Sequence, residues 1–348
     1  MPNGSHMTAP RILILGPSWV GDMVLAQSLF KVIKARQSQS RIDVAAPGWT
    51  LPLLERIPEV DGTIALPFKH GQLALGERMR LGRQLRGHGY SQAIQLTNSY
   101  KSAILPFFAD IPRRTGFRGE YRFGLLNDIR PLDKQALPRT VDRFVALGLE
   151  PGEQWQGALP LPRLAANPDG ALRTLQRLGH VLPKVPVLGL CPGAEYGPAK
   201  RWPAAYYAEV ARQALAQGWQ VWLFGSEKDT SVTGEINALA GGRCLDLGGR
   251  TALGEAIDLM ALTSVVVSND SGLMHIAAAL DKPLVAVYGS SDPYHTPPMS
   301  GKAAVVYLGL SCSPCFKREC PLGHLNCLKL LTPDQVLQKL PLFPAIRS

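Results

Sequence analysis

Short runs of unbroken apolar residues alternate along this chain with longer stretches whose apolar positions recur every three or four residues. "RILILG" from Arg11, "RIDVAAP" from Arg41, "GTIALP" from Gly62 and "QAIQLTN" from Gln92 are of the first kind. "GDMVLAQSLFKVIKARQ" from Gly21 and "LGERMRLGRQLRGHG" from Leu75 are of the second. The first pattern predicts buried strands and the second amphipathic helices. The same rhythm restarts at "VPVLGLCPG" from Val185 and continues through "QVWLFGSEKD", "CLDLGG", "SVVVSND" and "PLVAVYGS", with helical patterns at "PAAYYAEVARQALAQG" and "SGLMHIAAALD". Short apolar strands separated by helices imply α/β architecture, with parallel sheets covered on both faces.

The restart divides the chain. "PGEQWQGALPLPRLAANPDG", Pro151–Gly170, is rich in Pro, Gly and Ala and lacks periodicity, so it reads as a linker. The expected organisation is an N-terminal domain over residues 7–165, a C-terminal domain over 166–331, and a C-terminal helix and tail over 332–348. Residues 1–6 of "MPNGSHM" read as a vector-derived leader. Two doubly wound domains bind ligands outside the carboxyl ends of their strands, which predicts a cleft where the two edges face each other.

Composition and charge narrow the picture further. With 46% hydrophobic and 18% charged residues, the 348-residue chain is a folded protein and not a disordered one. No uninterrupted apolar window approaches the roughly 18 residues of a membrane span, and no secretory signal is apparent, so a cytoplasmic location is expected. The charge is uneven. Between Met7 and Arg163 there are 21 basic and 13 acidic residues, an excess of 8, against 16 and 14 in the rest. That asymmetry points to an anionic partner for the N-terminal half, or else to a solvated basic surface.

Candidate chemistry concentrates where strands end. In "SVVVSNDSGLMHIAAALDKPLVAVYG", Asp270 and Ser271 are helix-capping types and Gly272 permits close backbone approach. Free amides at that helix start would receive a pyrophosphate, and His275 lies one turn further on the same face; a capped helix with a packed histidine is the plainer alternative. In "CPGAEYGPAKRWPAAYYAEV", a glycine- and proline-containing loop presents Lys200 and Arg201. A cation there can neutralise charge on a leaving phosphate. "FGSEKD" ends a strand with Glu227 or Asp229 available to a ribose. The opening stretch, "RILILGPSWVGDMVLAQSLF", has neither dinucleotide-fingerprint nor P-loop spacing. Its helix starts on Asp22, which is stabilised there as an anion but is also a competent general base for a hydroxyl. Local residues leave both readings open.

Of six cysteines, four cluster in "CSPCFKRECPLGHLNC": Cys312, Cys315, Cys320 and Cys327, with His324 among them. A reducing compartment disfavours disulfides. The C-x2-C pair and two further sulfurs can form a structural zinc site; the irregular later spacings favour an unmetallated loop. Cys191 and Cys244 fall in strand-like contexts and are expected in the core.

"GPSWVGDMV", "NSYKSAILPFFADIPRRTGFRGEYRFGLLND", "CPGAEYGPAKRWP" and "NDSGLMHIAAAL" together resemble, in the same order, the ADP-heptose:lipopolysaccharide heptosyltransferases of glycosyltransferase family 9, most closely the type II members. Glu195 and Tyr196 stand where type I relatives carry hydroxyl residues. The resemblance implies a GT-B fold, two Rossmann-like doubly wound domains facing a central cleft, and inverting transfer that needs neither metal nor cofactor. It implies ADP-heptose in the C-terminal domain and heptosyl-Kdo–lipid A at the N-terminal domain. Such an enzyme is cytoplasmic and peripheral to the inner membrane.

Residue by residue, Asp22 matches the family's catalytic base and Lys200 its phosphate-contacting lysine. Asp270, Ser271, Gly272 and His275 match the donor motif, with Thr251 near the adenine and Asp229 near the ribose. The basic stretch with Lys101, Arg113, Arg114, Arg118 and Arg122 is then expected to meet the phosphates and carboxylates of the acceptor. Alternatives are a type I or III member of the same family, a nucleotide-sugar epimerase of similar architecture, and a nicotinamide oxidoreductase, which the missing glycine fingerprint disfavours. A nucleic-acid-binding module would need aromatics interleaved with basic residues, of which "GFRGEYRFG" is a weak version; no nucleic-acid partner is expected.

Overall fold

A computed structural model describes residues 9–68 and 71–340. The leader expected at 1–6 and the tail beyond Leu340 lie outside the described residues. The chain forms two compact units that divide between Pro160 and Leu161.

The first unit contains strands β1 (Arg11–Leu15), β2 (Arg41–Pro47), β3 (Gly62–Leu66), β4 (Tyr90–Gln95), β5 (Arg113–Phe117) and β6 (Asp128–Arg130). They form one sheet in the order β3-β2-β1-β4-β5-β6, every pairing parallel. Its helices are α1 (Val20–Arg36), α2 (Leu51–Leu54), α3 (Leu75–Gln84), α4 (Tyr100–Phe108) and α5 (Thr140–Leu147). After Arg11, central β1 is apolar and buried because helices cover both faces of a parallel sheet. Edge strand β3 instead alternates exposed and half-buried positions. Strands β5 and β6 were not legible as apolar runs: β5 is "RRTGF" and only its last three residues are buried.

The second unit repeats the plan. Strands β7 (Val187–Cys191), β8 (Gln220–Leu223), β9 (Leu245–Asp246), β10 (Val265–Asn269), β11 (Leu284–Val287) and β12 (Ala303–Val306) form a parallel sheet in the order β12-β11-β10-β7-β8-β9. Numbered from its own first strand and read from the other edge, this is the order of the first sheet. Both units are therefore doubly wound, with the switch point between β1 and β4 in one and between β7 and β10 in the other. Helices α6 (Pro168–Arg177), α7 (Ala204–Ala216), α8 (Thr230–Leu239), α9 (Leu253–Met260), α10 (Gly272–Ala279), α11 (Asn326–Lys329) and α12 (Pro333–Leu337) accompany this sheet. Trp202, Tyr207, Val265, Val267 and Val285 lie in its main core.

The proline-rich stretch is apportioned between the units by hydrogen bonds. Ser28 Oγ donates to Pro160 O at 2.7 Å, and Trp155 and Leu159 pack on Val32, Val145 and Leu149. Beyond the division, Leu164 N donates to Ala279 O at 3.0 Å and Asn167 N to Asp258 Oδ1 at 2.8 Å. Asn167 Oδ1 accepts from Gly170 N at 3.0 Å, capping α6. Leu164 and Asn167 are thus bonded into the second unit.

Helices α3 and α4 approach closely at Gly82, where an added Cβ would sit 2.6 Å from Leu105 O and 2.8 Å from Phe108 Cβ. Both obstacles are fixed to the helix backbone, so the helices must separate to admit a methyl group. Gly82→Ala is expected to destabilise the first unit by roughly 1–3 kcal/mol, despite alanine's better helix propensity. Urea unfolding checks this; an unchanged or raised midpoint would contradict the close packing.

Candidate active site

In the second unit, the carboxyl ends of β7, β10 and β11 converge on a buried polar cluster. Asn269, the last residue of β10, is fully buried and holds its neighbours in place. Its Nδ2 donates to Pro192 O at 2.6 Å, while its Oδ1 accepts from Trp202 N at 3.1 Å and Tyr207 Oη at 3.0 Å. The loop after β7 and the start of α7 are thereby tied to the end of β10. This brings Lys200 to Asp270: Lys200 Nζ donates to Asp270 Oδ2 at 2.5 Å. Ser291 Oγ, from the loop after β11, donates to the same oxygen at 2.5 Å. Asp270 and Ser291 are buried, and Lys200 is half-buried.

Helix α10 begins beside Asp270. Its N-cap, Ser271, makes no side-chain capping bond, and its Oγ lies 3.3 Å from Ser268 Oγ. The first-turn amides from Gly272 onward therefore carry no side-chain cap, as an anion-binding helix start requires. His275 is buried one turn along, and its Nδ1 has no hydrogen-bond partner. Burial pushes its pKa down to about 4; the Asp270 charge opposes this and Lys200 adds to it. The imidazole is neutral at physiological pH.

Two further expected donor residues take different positions. The carboxylate of Asp229 is turned inward: Oδ2 accepts from Ser226 N at 3.0 Å and Ser226 Oγ at 2.7 Å, and Oδ1 lies 3.7 Å from Arg201. An added Cβ at Gly193 would meet this carboxyl group at 2.5 Å, so Asp229 shapes the loops after β7 and β8 together. Thr251 is half-buried between β9 and α9.

The loop carrying Lys200 rests on the cysteine-rich segment. Tyr196 Oη donates to Phe316 O at 2.7 Å, and the Tyr196 ring lies under both Lys200, 5.2 Å away, and Arg318, 5.4 Å away. Ala199 N donates to Arg318 O at 3.0 Å. Gly197, at φ 157°, leaves room for that carbonyl, which an added Cβ would meet at 2.5 Å. From the other side, Phe316 N donates to Ser290 O at 2.7 Å and Ser313 Oγ to Gly289 O at 2.5 Å. Cys312, Cys315, Cys320 and Cys327 are all free thiols. Burial and the nearby Cys312, Cys315 and Cys320 push the Cys327 thiol up. The amide of Leu325, with those of Leu322, Gly323 and His324, draws the Cys320 thiol down. Among the described residues, no group of three or more His, Cys, Asp and Glu side chains is placed to hold a metal ion. Cys191 is buried in β7, and Cys244 is half-buried just before β9.

In the first unit, Asp22 occupies the first turn of α1, half-buried, immediately after the loop that follows β1. The N-cap residue, Trp19, offers no side-chain cap, so the helix dipole favours a carboxylate at this point. The basic stretch separates into two groups. Arg113 is held by Glu150, at 2.9 and 2.8 Å, and by Asp128 at 3.0 Å; these bonds raise its pKa. Burial pushes Asp128 upward, but hydrogen bonds from Arg130, Thr115 and Arg113 outweigh it and leave its pKa at about 2. Arg114 donates to Leu125 O at 2.7 Å and Ile111 O at 2.6 Å. Arg122 is buried and donates to Gln95 Oε1, Thr97 O, Asn98 Oδ1 and Phe117 O. These three arginines serve the architecture of β4–β6. Arg118, by contrast, is exposed and Lys101 half-buried on the first turn of α4.

Two participants were given no role from the sequence: Asn269, although it opens the quoted "NDSGLMHIAAAL" motif, and Ser291. Asn269 and Ser291 each adjoin the carboxyl end of a central parallel strand, and that position is the cue by which topology could have selected them.

A family model for glycosyltransferase family 9 (heptosyltransferase) matches residues 78–326. Lipopolysaccharide heptosyltransferase 2 of Salmonella typhimurium is 48% identical over 95% of this chain and 97% of its own length. The Escherichia coli protein of the same name is 46% identical over the same shares. The solved structure of E. coli ADP-heptose LPS heptosyltransferase II superposes with a TM-score of 0.85 at 44% identity, covering 95% of this chain and 97% of that one. E. coli heptosyltransferase WaaC with ADP shares the fold, with a TM-score of 0.70 at 20% identity over 94% and 98%.

The buried neutral His275 makes stability depend on pH. Its pKa is about 4 when folded, against the ordinary 6.5. Below pH 6.5 the unfolded chain therefore binds a proton that the folded chain does not. The contribution is fully present above the unfolded value and is lost as pH falls toward 4. Between pH 7 and pH 5 this one group should cost roughly 1–2 kcal/mol of stability. In urea unfolding, His275→Gln is expected to lose less stability over that interval than the parent. Equal losses would show that the imidazole titrates normally.

Proposed function

The chain belongs to glycosyltransferase family 9, the heptosyltransferases, and we propose that it moves a heptose from ADP-heptose to the first heptose of the Kdo–lipid A inner core of lipopolysaccharide, inverting the anomeric centre without a metal ion. The observation carrying this reading is the Lys200–Asp270–Ser291 cluster beside the uncapped start of α10. A fixed cation and unused amides at the carboxyl ends of central strands suit a nucleoside diphosphate. Membership of the family favours the transferase over the epimerase alternative.

In the proposed reaction Asp22 accepts the proton of the acceptor hydroxyl. That oxygen forms its bond to the anomeric carbon as the bond from that carbon to the β-phosphate oxygen breaks, and ADP departs with the electron pair. Lys200 shares its charge between Asp270 and the diphosphate, stabilising the charge that grows on the leaving group. Placing charges beforehand lowers the barrier because they need not reorganise as the oxocarbenium-like transition state forms. Neutral His275 can offer Nδ1 to a polar atom of the donor without adding charge. Thr251 is proposed near the adenine, and Asp229 acts on the ribose side by shaping the loop at Gly193.

On the acceptor side, Lys101 and Arg118 are proposed to meet phosphate or carboxylate groups, while Arg113, Arg114 and Arg122 shape the surface that presents them. No helix among the described residues is long and apolar enough to cross a membrane. We place the enzyme on the cytoplasmic side of the inner membrane, touching it only peripherally.

Mass spectrometry of heptosyl-Kdo–lipid A incubated with enzyme and ADP-heptose tests the function, the expected product carrying one added heptose. Absence of that product, with heptose transferred instead to Kdo–lipid A lacking heptose, would indicate the type I reaction. Asp22→Asn is expected to lower kcat by roughly 10²–10⁴-fold, the usual range for a general base, while ADP affinity by calorimetry stays near that of the parent. Most of the turnover surviving in that variant would remove Asp22 from the base role. Neutralising Lys101 and Arg118 together should raise the acceptor KM and leave the donor KM in place; the reverse pattern would locate these cations on the donor side.

A further inference from the structure

Exposed aromatic side chains in the first unit are not scattered. The segments that follow four adjacent strands, β2, β1, β4 and β5, each present at least one. They are Trp49, Trp19, Tyr100, and the pair Tyr121 and Phe123, between 43% and 87% exposed. All lie at the carboxyl edge of the sheet, and Trp19 is the residue on which α1, with Asp22 in its first turn, begins. Phe107, at the far end of α4, is the one other exposed Phe, Tyr or Trp among the described residues of this unit.

The rim is also built to stay in place. Gly16 N donates to Ala45 O at 2.9 Å, joining the loop after β1 to β2. Tyr100 N donates to Glu120 Oε2 at 2.6 Å, and Glu120 N to Asn98 O at 3.3 Å, joining the loops after β4 and β5. Buried Arg122 sits between Tyr121 and Phe123 and grips Thr97 O and Phe117 O, which turns its two neighbours outward. Large apolar faces held in water at one edge mark a binding surface, and rigid aromatics bind with little loss of side-chain entropy. The cations beside the rim, Arg118 and Lys101, suit the acidic groups of an anionic oligosaccharide.

We propose that this aromatic rim is the acceptor subsite for sugar rings: the less polar faces of successive pyranoses stack on Trp49, Trp19, Tyr100, Tyr121 and Phe123, placing the reacting hydroxyl at Asp22. The proposal rests on the acceptor being a glycolipid. Stacking on a sugar needs a flat ring, whereas insertion into a membrane needs only apolar area, and this difference separates the two uses of the surface.

The test measures the acceptor KM for a heptosyl-Kdo oligosaccharide freed of its acyl chains, with ADP-heptose as donor. Trp49→Leu, Tyr121→Leu and Phe123→Leu keep apolar area and lose the ring. Each is expected to raise the acceptor KM roughly five- to thirtyfold, the range for truncating a contact aromatic, with the donor KM unmoved. Phe107→Leu should leave both KM values unchanged, and thermal melting verifies that the variants fold. Unchanged acceptor KM in all three rim variants would overturn the proposal, and so would a parent enzyme that accepts only acylated substrate. Loss of vesicle binding by the rim variants, with oligosaccharide KM intact, would assign the rim to the lipid surface instead. A parent enzyme that transfers heptose to neither acceptor would count against the proposed function, not against the rim.

Discussion

One buried side-chain amide fixes the second unit's polar cluster. Asn269 closes the carboxyl end of β10 and spends its donor on Pro192 O and its acceptor on Trp202 N and Tyr207 Oη. Each of those groups is buried, and leaving any of them unpaired costs about 1–3 kcal/mol. The four-way arrangement is therefore strongly favoured over any in which the loop after β7 drifts from β10. Lys200 stands two residues before Trp202 and Asp270 one residue after Asn269, so the ion pair between them follows from this constraint. Neither side chain has to find the other. Their separation is set by groups that carry no charge, which leaves the charges available to a ligand.

The first unit repeats the strand order and solves its switch point with different chemistry. There the end of β4 carries Gln95, and the group that ties strand ends together is the Arg122 guanidinium, bonded to uncharged oxygens of Gln95, Thr97, Asn98 and Phe117. Burial pushes the Arg122 pKa down, with Glu120 opposing, yet an arginine remains charged well above neutral pH. One unit thus uses a neutral amide to present an ion pair, and the other uses a buried cation to present neutral loops bearing aromatic rings. The scaffold sets where ligands meet strand ends, while the loops set what those ends recognise.

How much of this was readable beforehand depended on whether the signal was local. Central strands such as "RILIL" and "VVVSN" declare themselves by their unbroken apolar runs, because a parallel strand covered on both faces is largely apolar. Asp270, Ser271, Gly272 and His275 could be selected because capping and glycine chemistry are confined to a few consecutive residues. The arginines could not be sorted. Arg113 meets Glu150, 37 positions later, and Arg122 meets Thr97, 25 positions earlier, so only tertiary structure separates a guanidinium that builds the sheet from one that faces solvent. Strand β5 was hidden for the same reason, since two charged residues open it. Ser291 required the strand order, because what marks it is the strand end it follows, and Asn269, though inside a quoted motif, required the tertiary structure to show what its amide holds.

The cysteine-rich segment gains an account from its position without being asked for chemistry of its own. It lies between the loop carrying Lys200 and the end of β11, receiving Tyr196 and Ala199 from one side and bonding Gly289 and Ser290 on the other. The Tyr196 ring lies 5.2 Å from the Lys200 ammonium and 5.4 Å from Arg318. A cation over a ring face gains about 0.5–1 kcal/mol at exposed sites, too little to immobilise Lys200 but enough to bias the direction in which it extends. Glu195, the residue before, is taken up by Lys228 at 2.5 Å and so does not compete for Lys200. Glu195 and Tyr196 therefore leave the Lys200 ammonium to its ion pair with Asp270. Between Asp270 and a diphosphate it can be shared, because no other carboxylate in its own loop claims it.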